Sequence, residues 1–135
     1  MRNSVCLLSV IVRSFKRCII NQHQVVQVGA VQPLCDCIGD GQAPMESRRY
    51  AALALANLSA TVANHTVLLE DGCLQAVYSL ANAKDAMSQY YVGCTLANLA
   101  CNNANHALMV RIEVGGRRGG VVCTSLFFLF FFYVT

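Results

Sequence analysis

Three histidines, His23, His65 and His106, are the residues whose chemistry first suggests a site, because imidazole nitrogen is a common zinc ligand. Two of them, His65 and His106, each follow an asparagine, Asn64 and Asn105. They are therefore equivalent positions of a repeated sequence and need not meet at one site. Sequence units that stack as packed helices hold equivalent side chains roughly 10 Å apart, whereas zinc–nitrogen bonds are about 2 Å long. The sequence therefore predicts no metal site and no cofactor.

The remaining motifs for catalysis are incomplete. Cys35-Asp36-Cys37 has no base beside it and no second copy, and an activated thiol needs such a base. The glycine-rich run Gly115–Gly120, GGRRGG, lacks the lysine and the strand-to-helix setting of a phosphate-binding loop. No pair of carboxylates stands out for acid–base work. We predict no enzyme activity.

The distribution of charge excludes a further class of function. Hydrophobic residues make up 56% of the 135-residue chain and charged residues 13%, which argues against disorder. The net charge is +3, but residues 21–110 hold three basic against six acidic side chains, a local balance of −3. A nucleic-acid-binding surface needs basic residues clustered on the body of the domain. Binding to nucleic acid is not predicted.

The eight cysteines indicate a reducing compartment rather than a disulfide framework. No CxxC pair is present, and five cysteines lie among apolar neighbours in predicted helices, where a free thiol acts as a small hydrophobic group: Cys35, Cys37, Cys73, Cys94 and Cys101. A cytoplasmic location is predicted, with nuclear or membrane-associated locations as alternatives.

The chain repeats itself with a period of about 41 to 43 residues. Asn21–Leu34 reappears as Asn64–Val77, and Ala54–Ala60 reappears as Thr95–Cys101. A third copy begins at Asn105 and is incomplete. A period in this range is typical of a helical solenoid, in which each unit covers the apolar face of its neighbour.

Each unit is predicted to contain three helices. A short first helix, His65–Asp71, follows Asn64, whose side chain could cap it, and ends at Gly72, which can adopt the left-handed conformation. Gly29 occupies the equivalent place in the first unit. Asp85 is a candidate cap for the third helix of the second unit. The predicted second helices are Ala30–Ile38 and Cys73–Asn82, and the third helices are Pro44–Ala60 and Asp85–Cys101.

The third helices carry a predicted buried stripe at helical spacing. Aligning Asn57 with Asn98 pairs the apolar residues Ala51 with Val92, Leu55 with Leu96, and Leu58 with Leu99. It also pairs Ala52 with Gly93, two small residues that would allow a neighbouring helix to approach closely.

The order of asparagine, apolar stretch, Gly-Ala-Val-x-Pro-Leu and a long helix ending Ala-Leu-Ala-Asn-Leu resembles the armadillo repeat. The segments ALANLS and TLANLA are most similar to those of vacuolar and scaffold-type armadillo proteins. The resemblance implies an all-α, right-handed armadillo superhelix of about two and a quarter repeats. It covers repeats at 21–63 and 64–104 and a truncated start at 105–114, leaving an unassigned N-terminal segment, 1–20, and a Phe-rich tail, 115–135.

The resemblance also implies a protein–protein interaction scaffold that binds an extended peptide or partner domain along a groove of third helices. Asn57 and Asn98 carry a donor and an acceptor each, and could hold a peptide backbone, or could instead bridge their own scaffold. Residues four and eight positions before each asparagine lie on the same helical face and complete the candidate groove: Arg49, Leu53, Tyr90 and Cys94. The aligned Tyr50 and Tyr91 could line its edge. Arg49 could pair with an acidic partner, or Arg48 and Arg49 could form an ordinary solvated face.

Two alternative functions remain open. The mildly acidic body permits a nuclear-transport-like binder of basic peptides, although Leu53 and Cys94 stand where importin-alpha relatives carry tryptophan. The apolar tail Val121–Val134 could anchor a membrane-tethered adaptor, but it is short for a bilayer span. A translated intron, an artefact of the gene model, is the competing explanation of this tail. Self-association through exposed repeat ends is also expected.

Overall fold

The computed structural model describes residues 19–109. This part of the chain forms six α-helices and contains no strand. The helices are α1 (Ile19–Gln27), α2 (Val31–Gly39), α3 (Met45–Ser59), α4 (His65–Glu70), α5 (Cys73–Leu80) and α6 (Ala86–Ala100). Short 3-10 turns, Val62–Asn64 and Asn103–Asn105, follow α3 and α6.

The helix boundaries lie within one or two residues of the predicted ones. Gly29 and Gly72 have φ of 78° and 81°, so both adopt the predicted left-handed conformation between the first and second helices. Asp85 caps α6 as predicted, since its carboxylate accepts the backbone N–H of Ser88 at 2.8 Å. The predictions for the N-terminal segment, the Phe-rich tail and the truncated unit beyond residue 109 concern residues outside the described part.

The predicted side-chain cap at Asn64 is wrong. The 3-10 turn Val62–Asn64 leads directly into α4, so Asn64 already has helical dihedrals and its side chain makes no capping bond. Its Nδ2 instead donates to the carbonyl of Leu58 at 3.0 Å, and its Oδ1 lies 3.3 Å from Nδ1 of His23. Asn64 therefore ties the end of α3 to the start of α4 and to the preceding unit.

Equivalent helices of the two units lie side by side. The third helices α3 and α6 share the most extensive packing, followed by α2 with α3 and α2 with α5. One continuous apolar core runs between them. Its fully buried members come from both units: Ile38, Leu55, Leu68, Leu74, Leu80 and Leu99. The result is the all-α, stacked arrangement that the repeat predicts.

The predicted stripe on the third helices is buried except at one place. Seven residues of α3 are buried but only four of α6, and Leu96 is only half-buried, unlike its partner Leu55. Ala52 is fully buried, whereas a Cβ at Gly93 would meet no atom of the described residues within 4 Å, so the close approach predicted for this pair stays a prediction at Gly93. Among the described helices, α6 has a neighbouring third helix on one side alone.

Within residues 19–109 no single helix has the length and apolarity to cross a membrane. One bent pair, Met45–Ser59 with Val62–Glu70, would pass by length and composition, with a bend of 113°.

Candidate functional site

The eight predicted groove residues lie on the two third helices, four on α3 and four on α6. None is buried: Tyr90 is 63% exposed and the others are half-buried. The opposite faces of the same helices supply the core. We call the set formed by Arg49, Tyr50, Leu53, Asn57, Tyr90, Tyr91, Cys94 and Asn98 the groove face.

The two helices of the groove face are parallel and held in register at both ends. Near their N-terminal ends, Arg49 of α3 bonds Asp85, the cap of α6. Near their C-terminal ends, Asn98 of α6 bonds the carbonyl of Ala56 in α3. Because the helices are parallel and in register, residues at equivalent positions, such as Asn57 and Asn98, lie on equivalent faces of the two helices.

The side-chain amide of Asn98 forms hydrogen bonds with α3. Its Nδ2 donates to the carbonyl of Ala56 and to Oγ of Ser59, both at 3.1 Å. Ser59 Oγ donates in turn to Ala56 at 2.9 Å. Both amide hydrogens are thereby used, and the carboxamide oxygen is the group of Asn98 left for a ligand. The sequence contains no local signal for this bridge, because its partners lie 39 and 42 residues away.

Asn57 differs from Asn98 although the two occupy equivalent positions. Its Nδ2 is buried and has no hydrogen-bond partner within residues 19–109. The residue that would correspond to Ala56 in a preceding unit comes before Ile19, outside the described part. A buried donor without an acceptor costs about 1–3 kcal/mol. Asn57 therefore holds an unsatisfied donor that is buried beneath the groove face.

Arg49 is paired within the chain. Its Nη2 lies 2.6 Å from Oδ1 of Asp85 and its Nε donates to Oδ2 at 3.0 Å, a two-point contact between the units. The Arg49 hydrogen bonds, followed by that of Ser88, lower the pKa of Asp85 from 3.8 to about 2. The bond to Asp85 raises the pKa of Arg49. Asp85 therefore occupies the position of the acidic partner that the sequence suggested for Arg49.

The other arginine of α3 also serves the scaffold. Arg48 Nε donates to the carbonyl of Ile38 at 2.8 Å and so satisfies the end of α2. Both arginines therefore make hydrogen bonds within the chain while remaining partly exposed.

The α6 side of the groove face is aromatic. The rings of Tyr90 and Tyr91 pack edge to face, with centroids 5.6 Å apart and planes at 66°. A hydrogen bond with Cys94 raises the pKa of the Tyr90 hydroxyl. Met87, one turn before Tyr90, is 46% exposed. Met87 was not among the predicted groove residues, although its i, i+3 spacing to Tyr90 indicates that the two side chains are neighbours on the helix.

The cysteines and histidines have structural environments. Burial raises the pKa of Cys35 to about 12 and also raises the pKa of Cys73, so these thiols are poor nucleophiles. His65 Nε2 lies 2.8 Å from the Ser59 carbonyl and His106 Nε2 lies 2.6 Å from that of Ala100. In the described part of the chain, no group of three or more His, Cys, Asp or Glu side chains could hold a metal ion.

The family model of the armadillo/beta-catenin-like repeat matches residues 21–60, which hold α1, α2 and α3. Residues 21–60 are an armadillo repeat. The match confirms the family and, with the all-helical structure, the predicted solenoid fold. No curated protein and no solved structure matches the chain. The similarity to vacuolar members stays a prediction.

Armadillo repeats mediate protein–protein interaction and form a non-enzymatic scaffold fold. The α4–α6 unit has the same order of three helices as the matched repeat, with a left-handed glycine between the first two and a 15-residue third helix. Its asparagine, Asn98, holds it against the matched repeat.

Proposed function

We propose that this protein is an interaction scaffold that binds an extended segment of a partner protein along the groove face. The observation that supports this is that none of the eight groove-face residues is buried, on two helices held in parallel register, and that Tyr90 is 63% exposed. The buried residues of the same helices form the core, so the exposed set is the surface that the stack presents.

The chemistry of the groove face suits an extended chain. Packed helices lie roughly 10 Å apart, and an extended peptide advances about 3.3 Å per residue. Each third helix would therefore face every third residue of the partner. Asn57 offers an unpaired donor after a change of side-chain rotamer, Asn98 offers its oxygen, and Tyr90 supplies an exposed ring. Tyrosine contributes strongly to protein interfaces because it buries a large area with little loss of entropy.

We place this activity in the cytoplasm. The five described cysteines form no disulfide, which fits a reducing compartment. A two-repeat groove is small, and binding by additional repeats of a longer array would add to the affinity through a larger buried surface.

Site-specific photo-crosslinking tests the proposed surface. Benzoylphenylalanine in place of Tyr90 should crosslink the full chain to partner proteins in a cell extract. The matched control replaces Gln75, which is exposed on α5, away from the groove face. Leu53→Ala should reduce the yield from position 90. Equal yields from positions 75 and 90, or crosslinks from position 75 alone, would contradict the proposal.

A further inference from the structure

The charges beside the groove face are largely neutralised within the chain. Arg49 and Asp85 neutralise each other through two hydrogen bonds, and Arg48 is held on the Ile38 carbonyl. Glu46, an exposed residue of α3, lies near enough to Arg49 to raise its pKa. Glu46, Arg49 and Asp85 together carry a single net negative charge. An acidic partner segment would therefore find no unpaired arginine on the groove face.

Beyond its cap Asp85, which is paired with Arg49, helix α6 carries no charged side chain. The 15 residues of α6, Ala86–Ala100, include no Asp, Glu, Lys or Arg. Two of its side chains are large, apolar in most of their area and well exposed, Met87 at 46% and Tyr90 at 63%. The edge-to-face contact with Tyr91 restrains the Tyr90 ring. The helix thus presents a preformed apolar surface without a carboxylate or a cation.

We propose that the groove face selects an uncharged extended segment, anchored by a large aliphatic or aromatic side chain that packs on Met87 and Tyr90. This inference rests on the proposed function and specifies its partner. A charged anchor at this place would lose hydration and meet no opposite charge on α6. An apolar anchor would gain the hydrophobic free energy of the buried area.

Selection from a phage-displayed library of random linear dodecapeptides on the full chain tests the inference. Enriched peptides should carry large apolar residues and a net charge close to zero. In a synthetic peptide of the enriched sequence, replacing the apolar anchor with Glu or with Lys should weaken binding at least tenfold. Tyr90→Ala and Met87→Ala should each weaken binding of the unaltered peptide, Tyr90→Phe should retain it, and Gln75→Ala should leave it unchanged.

The outcomes separate the inference from the proposed function. Peptides rich in acidic or basic residues that still depend on Tyr90 would overturn the inference and leave the function standing. Apolar peptides that depend on Leu53 but not on Tyr90 or Met87 would also overturn it. If no peptide is enriched, or if neither Leu53→Ala nor Tyr90→Ala weakens binding, the proposed function is wrong and the inference is wrong with it. Far-ultraviolet circular dichroism of each variant establishes that it is folded.

Discussion

Asn98 fastens the C-terminal half of α6 to α3 through both hydrogens of its amide. The acceptors, Ala56 O and Ser59 Oγ, belong to the preceding unit. The contact stabilises the packing of the two helices and also fixes their register, because a shift of one residue would move the amide away from both acceptors. Asn57 has no such acceptor within the described residues.

Replacing Asn98 with alanine is expected to lower the free energy of unfolding by about 1–2 kcal/mol, since two hydrogen bonds between the units disappear. Urea unfolding monitored by circular dichroism measures the change. The matched variant Asn57→Ala removes an amide whose Nδ2 is unpaired, so its cost should be smaller. A larger loss for Asn57→Ala than for Asn98→Ala would show that these contacts do not hold the units together.

The ion pair of Asp85 predicts a specific dependence of stability on pH. The pKa of Asp85 falls from 3.8 to about 2 through its bonds with Arg49 and Ser88. Between these two values the unfolded chain binds more protons than the folded chain, so stability rises with pH there. The contribution of Asp85 is complete above about pH 4 and is lost as the pH falls towards about 2.

Thermal unfolding between pH 2 and pH 5 checks this expectation. The melting temperature of the unaltered chain should fall more steeply across the window than that of Asp85→Asn, which cannot titrate. Arg49→Gln serves as the second variant, because it removes the main cause of the lowered pKa. Identical slopes for all three proteins would exclude the ion pair as a source of acid sensitivity.

Local backbone geometry determines where the helices begin and end. Gly72 adopts φ of 81° between α4 and α5, a conformation that costs an L-residue about 1–2 kcal/mol. Gly93 lies inside α6, where a Cβ would meet no atom of residues 19–109 within 4 Å. These two glycines therefore have opposite consequences for stability.

Gly72→Ala is expected to destabilise the chain by about 1 kcal/mol because alanine is strained in the left-handed region. Gly93→Ala should stabilise it by about 0.5–1 kcal/mol, since glycine inside a helix is entropically unfavourable. Differential scanning calorimetry of the two variants should show melting temperatures that move in opposite directions. A destabilising Gly93→Ala would mean that a neighbouring helix packs closely against that position.

The whole described molecule has one core. Buried residues of both units form a single apolar cluster, and Leu55 of α3 lies within it, fully excluded from solvent. Because each unit buries its apolar face against the other, the two are expected to unfold together rather than one at a time.

Leu55→Ala should cost about 2–5 kcal/mol, because it leaves a cavity in this core. Hydrogen exchange should then show amides of α2, α3, α5 and α6 losing protection together. Val62→Ala is the control, since Val62 is 61% exposed and its truncation should change stability little. Continued protection of α5 and α6 after α2 and α3 exchange would mean that the units unfold independently.

The repeat in the amino-acid sequence by itself determined the helices, their order and their ends. Gly29, Gly72 and Asp85 act on their own backbone or on atoms three residues away, so their roles follow from residue type and position. The exposed face with Asn57 and Asn98 was likewise predictable, because the positions on a helix that share one face follow from its periodicity.

Tertiary structure alone decided which of those side chains remain available. Arg49 pairs with a carboxylate 36 residues away and Asn98 with acceptors 39 and 42 residues away. Asn64 is a bridge and not a cap because it is the last residue of a 3-10 turn, which is itself packed against α1 and α3. Hydrogen bonds and burial depend on distances through space, and a periodic sequence assigns the same role to equivalent residues whose neighbours differ.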